Sequence, residues 1–274
     1  MRLIVTSDTH LGITTLPRIK QLVTDIASHK PDAVAIAGDI GEGIENVEIV
    51  LGEFSSIGVP VCAVSGNHDV WNHDRINTSL KMWETLLPKV AKASGTTWLE
   101  NEILIVGDIA IVGTNGWYDY SAQEMAYRVS PDENFKRKGE FDADAWKVDW
   151  PWNDIEFCAL IEPGFRKRLK EAQENERVRE MVVISHSLLF EEQIKRKPDD
   201  FRWGFSNAYY GNLTFGRIVS EHSKVTHVVS GHSHFGMDAV IDMNGHPARV
   251  ITLDSQYNNP AYVILDLPAE LFIT

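Results

Sequence analysis

Apolar residues in this chain come in short bursts that turn polar abruptly. Residues 2–7 (RLIVTS), 32–38 (DAVAIAG) and 59–66 (VPVCAVSG) are three such bursts. Runs this short and this apolar predict buried strands. Between them, residues 14–31 place Leu16, Ile19, Leu22, Val23 and Ile26 at helical spacing, with Pro17 near the start and Pro31 just past the end. A second helix is predicted over 44–57, stopped by Gly58. Strand, helix, strand, helix, strand at this spacing predicts right-handed crossovers and a parallel sheet.

Further along, residues 78–94 read as a helix interrupted near Pro88, and 102–114 as a hairpin turning at Gly107-Asp108. Residues 116–180 lose periodicity in places and gather Trp117, Tyr118, Tyr120, Tyr127, Trp146, Trp150 and Trp152 among charges. The end of that stretch, 164–180, reads as a charged, largely solvent-facing helix. Strands resume at 181–185, at 224–231, on either side of Asn244-Gly245, and at 261–267. The chain shows no repeat and no clear linker. The expectation is one α/β domain over residues 1–274, two stacked sheets with helices outside, and an aromatic-rich insertion at about 116–180 as a candidate lid.

The residues just past the strands are more specific than the strands themselves. After the first come Asp8-Thr9-His10, after the second Gly38-Asp39, and after the third Gly66-Asn67-His68-Asp69. After residues 181–185 comes His186, and after 224–230 come Gly231-His232-Ser233-His234. Ligands of open parallel sheets bind beyond the carboxyl ends of the strands, so five strands deliver Asp, Asn or His to one edge. Carboxylates and imidazoles together suit first-row divalent ions. The set exceeds what one ion takes, which implies two ions sharing a bridging carboxylate, the clamp used for displacement at phosphorus. The glycines before Asp39, Asn67 and His232 are expected to let the backbone turn sharply. Alone, an Asp-x-His, a Gly-Asp or a His-x-His at a strand end is most often a turn; it is the five in this order that point to a site.

In this order the motifs resemble the calcineurin-like metallophosphoesterases, with every signature position filled across residues 8–234. The resemblance implies a four-layer α/β/β/α sandwich of two mixed sheets flanked by helices. It implies one metal held by Asp8, His10, Asp39 and His234, and a second held by Asp39, Asn67, His186 and His232, with Asp39 bridging. His68 is similar to the family's non-ligand histidine, which contacts the phosphate and protonates the leaving oxygen. Asp69 would orient His68 by hydrogen bonding. His73 is a lesser candidate for substrate contact. Arg75, Arg128 and Arg202 are candidate phosphate clamps that read more simply as structural or surface residues. His29 reads as a helix-end group, His222 and His227 as surface or satisfied-core groups, and His246 as a turn residue. The basic runs at 136–138 and 195–197 read as solvated faces.

Composition narrows the function. A net charge of −13 argues against a broad grip on a nucleic-acid polymer. The first apolar run is too short for a signal-peptide core, and no run approaches the roughly 20 residues of a membrane helix. Two cysteines, Cys62 and Cys158, read as small buried hydrophobes. The expected protein is a cytoplasmic phosphoesterase whose nucleophile is a metal-bound hydroxide. It would carry two divalent or trivalent transition-metal ions, drawn from Mn, Fe, Zn, Ni or Co, with His68 as general acid. The expected substrate is a small phosphate diester of cyclic-nucleotide type. A phosphomonoesterase or protein phosphatase is the alternative, and a nuclease or a non-enzymatic scaffold with this fold lies further off. Oligomeric state is left open.

Overall fold

A computed structural model describes residues 1–72 and 76–268. His73 and Arg75 therefore lie outside the described residues. The first half is built as the apolar bursts predict: β1 (Arg2–Thr6), α1 (Leu16–Ser28), β2 (Ala33–Ala37), α2 (Ile44–Ser55) and β3 (Val61–Val64). Next come α3 (Ser79–Lys81), a π turn at Met82–Leu86 and α4 (Leu87–Ser94), then the short strand β4 (Thr97–Trp98). The π turn is the interruption expected near Pro88. Proline lacks the N–H that would close a regular turn and clashes with the carbonyl four residues back, and the widened turn absorbs both.

β5 (Leu104–Val106) and β6 (Ile109–Thr114) form the expected hairpin. The middle segment holds α5 (Pro131–Arg137), α6 (Asp144–Lys147) and α7 (Asp154–Glu174). β7 (Glu180–Ser185), α8 (Phe201–Ser206), α9 (Leu213–Val219), β8 (Val225–Ser230), β9 (Met237–Met243), β10 (His246–Thr252) and β11 (Tyr262–Asp266) complete the chain. Asn244 and Gly245, both at positive φ, turn β9 into β10.

The strands make two mixed sheets, ordered β11-β1-β2-β3-β4 and β5-β6-β7-β8-β10-β9. In the first, β1 to β4 run parallel and β11 antiparallel. In the second, β6, β7, β8 and β10 run parallel, with β5 and β9 antiparallel at the edges. Alternate residues of each strand enter different cores, because successive side chains point to opposite faces. Leu3, Val5, Cys62 and Val64 meet Ile109, Ile111, Val182 and Ile184 between the sheets. Ile4, Val34 and Ile36 face outward onto Ile19, Leu22 and Ile26 of α1 and Val47 and Phe54 of α2. On the other side Ala110, Val112 and Val183 meet Phe165 and Leu169 of α7 and Phe215 and Ile218 of α9. The layers are α/β/β/α. Strands covered on both faces are apolar throughout, which is why they show as unbroken runs.

The middle segment departs from its sequence reading at two points. α7 begins ten residues before the expected start, where Asn153 and Glu156 form a capping box, and it buries Phe157, Cys158, Phe165, Leu169 and Ala172. It is an outer-layer helix with one apolar face, not a mostly solvated one. Its charges, crowded at 166–171, hide the underlying spacing. Lys138, expected on a solvated face, is buried and paired with Asp154 at 2.8 Å. Trp117, Tyr118 and Tyr120 are buried in the same core as α1 and α2, whereas Trp146 is exposed. Cys62 and Cys158 are buried and unpaired with one another, as expected.

Candidate metal centre

The parallel strands bring their carboxyl ends to one edge. Asp8 and His10 follow β1, Asp39 follows β2, Asn67 and His68 follow β3, His186 follows β7, and His232 and His234 follow β8. These loops have unusual backbones. Asp8 (φ 53°), His10 (φ 41°), Asp39 (φ 50°), His232 (φ 68°) and His234 (φ 56°) all lie in the left-handed region. Residues other than glycine occupy it at a cost on the order of 1 kcal/mol each. The loops hold one another there: Asp8 N–H donates to Gly38 O (3.0 Å), His10 N–H to Asp39 O (2.9 Å) and Gly231 N–H to His186 O (3.1 Å). Strain concentrated in this way is a mark of functional sites.

The glycines act differently from one another. Gly38, at φ 83°, makes the expected turn. Gly66 and Gly231 are not at positive φ and instead clear space: a Cβ on Gly66 would run into Asp39 Oδ1, and one on Gly231 would lie 2.5 Å from Asp8 Oδ2. Close approach, not turn geometry, is their role.

Three overlapping clusters result, each with ligand-type atoms within 4.8 Å of one another: Asp8, His10 and His234; Asp39, His186 and His232; and His10, Asp39 and His68. The imidazoles share an arrangement. His186 Nδ1 bonds Ala37 O (2.9 Å), His232 Nε2 bonds Tyr209 O (2.9 Å) and His234 Nδ1 bonds Ser255 O (2.6 Å). His10 Nδ1 bonds Glu42 Oε1 (3.1 Å). A carbonyl or carboxylate only accepts, so each ring must donate there, which leaves its other nitrogen to carry a proton or to meet a cation. Three of those nitrogens approach the carboxylates: His10 Nε2 lies 3.3 Å from Asp39 Oδ2, His186 Nε2 3.4 Å from Asp39 Oδ1, and His234 Nε2 4.0 Å from Asp8 Oδ1. Asn67 Oδ1 joins them, 3.0 Å from His186 Nε2.

These groups fit metal cations. Among the described residues His10 Nε2 is buried with no hydrogen-bond partner, which a native interior tolerates only for a reason. The charge balance agrees. Burial would raise the Asp39 pKa, yet His186, His68 and His10 hold it well below the ordinary carboxylate value. Burial would lower His186, but Asp39 and Asp8 lift it to about 9. The carboxylates demand positive charge, from protons on these rings or from cations between them.

His68 and Asp69 sit in the turn after Asn67, and here the sequence reading needs correcting. Asp69, expected to orient His68, instead turns its carboxylate inward. It accepts backbone N–H groups of Ile40 (2.8 Å), Gly41 (3.1 Å) and Gly66 (2.7 Å), bracing the loops that carry Asp39 and Asn67. Adjacent residues in a tight turn point apart, so Asp69 cannot follow His68 outward. The partner of His68 is Glu42, whose Oε1 takes Nδ1 at 2.7 Å while also holding His10. Burial raises Glu42, but its bonds to His10 and His68 bring it to about 2. His68 itself is lowered by burial and raised by Asp39 and Glu42, to about 9 in balance. Its ring stacks on Trp71 with centroids 3.5 Å apart.

Two residues of this neighbourhood are not singled out by sequence. Glu42 has a faint signal, an acid three positions after Asp39 in the same loop. Asp144 has none: it comes from α6 and accepts from Asn67 Nδ2 at 2.9 Å. Among the lesser candidates, Arg128 donates to Ser121 O (3.3 Å) and the Arg202 guanidinium lies 5.8 Å from the centre of the Phe141 ring. No helix in the described residues is long and apolar enough to cross a membrane.

Comparison with known proteins places this geometry. A search of curated proteins by sequence finds no match. Among solved structures, a phosphopantetheinyl hydrolase from Mycobacterium tuberculosis superposes with a TM-score of 0.73 at 18% identity, covering 99% of this chain and 98% of the other. A protein from Thermus thermophilus gives 0.55 at 11% identity, over 92% and 88% of the two chains. A dimetal phosphatase from Danio rerio gives 0.51 at 13% identity, over 93% and 87%. At these identities the likeness is one of fold. The family model described as calcineurin-like phosphoesterase matches residues 1–236, a span that holds every strand-end motif above. The chain belongs to the calcineurin-like phosphoesterase family and is a metal-dependent phosphoesterase.

Proposed function

We propose that the protein hydrolyses a small phosphate diester at a dinuclear metal centre. Asp8, His10, Asp39 and His234 would hold one ion, and Asp39, Asn67, His186 and His232 the other, with Asp39 shared. The observation that carries this assignment is the common arrangement of His10, His186 and His234, each with its outer N–H donated and its other nitrogen within 4.0 Å of the Asp8 or Asp39 carboxylate, with His232 in the same cluster. When bound, such a pair of ions acidifies water and neutralises charge on the non-bridging phosphate oxygens.

The remaining roles fall to this chain's own side chains. His68 would donate a proton from Nε2 to the leaving oxygen, while Glu42 holds its Nδ1–H and fixes the ring. Trp71 backs that ring. Asp69 keeps the two loops in register through three backbone amides. The chain reads as one metallophosphoesterase domain, in which the part of the aromatic-rich segment before α7 is the candidate lid.

A diester is favoured over a monoester by charge. A monoester carries up to two negative charges at neutral pH and a diester one. Among the described residues, no Lys or Arg makes a hydrogen bond or ion pair with Asp8, His10, Asp39, Asn67, His68, His186, His232 or His234. The names of two structural neighbours, a phosphopantetheinyl hydrolase and a dimetal phosphatase, accord with hydrolysis at phosphorus and do not choose between esters.

Chelator-stripped protein assayed with and without Mn²⁺, on bis-para-nitrophenyl phosphate and on the mono-ester, tests the reading. Metal-restored cleavage faster on the bis-ester is expected. The reverse preference would establish the monoesterase alternative.

A further inference from the structure

Asp144 comes from the middle segment, far in sequence from every strand-end motif, yet it is 1% exposed and its carboxylate ends against the candidate metal centre. Its Oδ1 accepts from Asn67 Nδ2 (2.9 Å) and from Trp71 Nε1 (2.6 Å), and its Oδ2 accepts from Tyr118 O–H (2.8 Å). Among the described residues it forms no salt bridge. A carboxylate buried without a cation is costly, so three neutral donors converging on this one need an explanation beyond packing.

We infer that Asp144 is a positioning residue for the proposed centre, fixing the amide of Asn67 and the indole of Trp71 through a single oxygen. This rests on the metal assignment above and adds a residue to it. A side-chain amide can present either its oxygen or its nitrogen to a neighbour. Oδ1 of Asp144 accepts from both neighbours, so it holds the Asn67 NH₂ and turns Asn67 Oδ1 the other way, toward His186 Nε2. The same oxygen pins Trp71, the ring stacked on His68. A second buried carboxylate anchors the segment that delivers Asp144: Asp154 accepts from Trp117 Nε1 (2.7 Å), Tyr120 O–H (2.5 Å) and Lys138 Nζ (2.8 Å). The middle segment thereby helps to build the centre, and Asp144 is a fixed point within the candidate lid.

Asp144→Ala and Asp144→Leu remove the acceptor, and Asp144→Asn keeps the shape with one acceptor oxygen. Mn²⁺ titration of the full chain, followed by the electron paramagnetic resonance of coupled and isolated Mn²⁺, separates the two sites, with circular dichroism reporting the fold. In Ala and Leu the second Mn²⁺ should bind about 10–100-fold more weakly, with the first nearly unchanged and the coupled signal replaced by an isolated one. Asn should fall between these and the wild type. Trp71→Phe keeps an aromatic face but not the indole N–H, and should leave both Mn²⁺ affinities intact while lowering kcat. Folded Ala or Leu variants that bind both ions as the wild type does would overturn the inference alone. If Ala and Leu do not fold, wild-type affinity at both sites in Asn would do the same. Wild-type protein that binds fewer than two Mn²⁺ would overturn the metal assignment and this inference with it.

Discussion

His68 owes its proposed chemistry to Glu42, a residue the strand-end motifs do not point to. The Nδ1–Glu42 contact at 2.7 Å and the nearby Asp39 raise the imidazole to about 9, against burial. A general acid acts in its protonated form, so turnover on a poor leaving group should fall as pH rises through the His68 pKa. Cations on Asp39 offset one source of the rise while Glu42 remains. The falling limb should therefore lie between the ordinary 6.5 and about 9. Glu42→Gln removes the charge bonded to the ring, leaving only the weaker pull of Asp144, and should move that limb to lower pH. His68→Ala should abolish it, lowering kcat on an alkyl phosphodiester by about 10²–10⁴-fold. The loss should be smaller on a nitrophenyl ester, whose leaving group needs no proton, and both ions should stay bound. Rate profiles of the three proteins on an alkyl diester check this; an unchanged limb in His68→Ala would remove His68 from the acid role. The expectation for Asp69 fails for a local reason. Sequence shows that His and Asp are neighbours, but the turn that separates their directions is set by the backbone amides of Ile40 and Gly41, from another loop.

Elements are legible according to how they bury their surface. β1 to β3 with α1 and α2, the β5-β6 and β9-β10 hairpins, β7, β8 and β11 all carry local patterns of period or turn chemistry, and each appears where that pattern puts it. β4, with two residues, and the short helices α5, α6, α8 and α9 have no window long enough to show a period. α7 shows the other failure, a true apolar face masked by charge. Its stability should come from that face more than from its cap. Asn153→Ala should cost about 1 kcal/mol through the lost capping box, and Phe165→Ala, fully buried against the second sheet, about 3–5 kcal/mol. Urea unfolding of the two variants measures both. Equal costs would mean that α7 is held by its end rather than by its packing.

The molecule as a whole joins two kinds of information. The ligand-type residues can be read from sequence because parallel strands of one sheet share a carboxyl edge, and the packing of the two sheets brings the edge of β1 to β3 against that of β7 and β8. Glu42 and Asp144 support those residues from positions that no strand-end rule reaches. Asp144 in particular depends on how the middle segment folds back onto the sheet edge. The proposed centre turns on Asp39, which the structure places between His10 and His186 and which both proposed sites share. The measurement that tests this most directly is metal content per chain in wild-type protein and in Asp39→Ala, each purified, stripped and reloaded with Mn²⁺, with activity read alongside. A shared Asp39 predicts two ions in the wild type, with Asp39→Ala losing metal occupancy and hydrolysis together. Two ions and full activity in Asp39→Ala would contradict it.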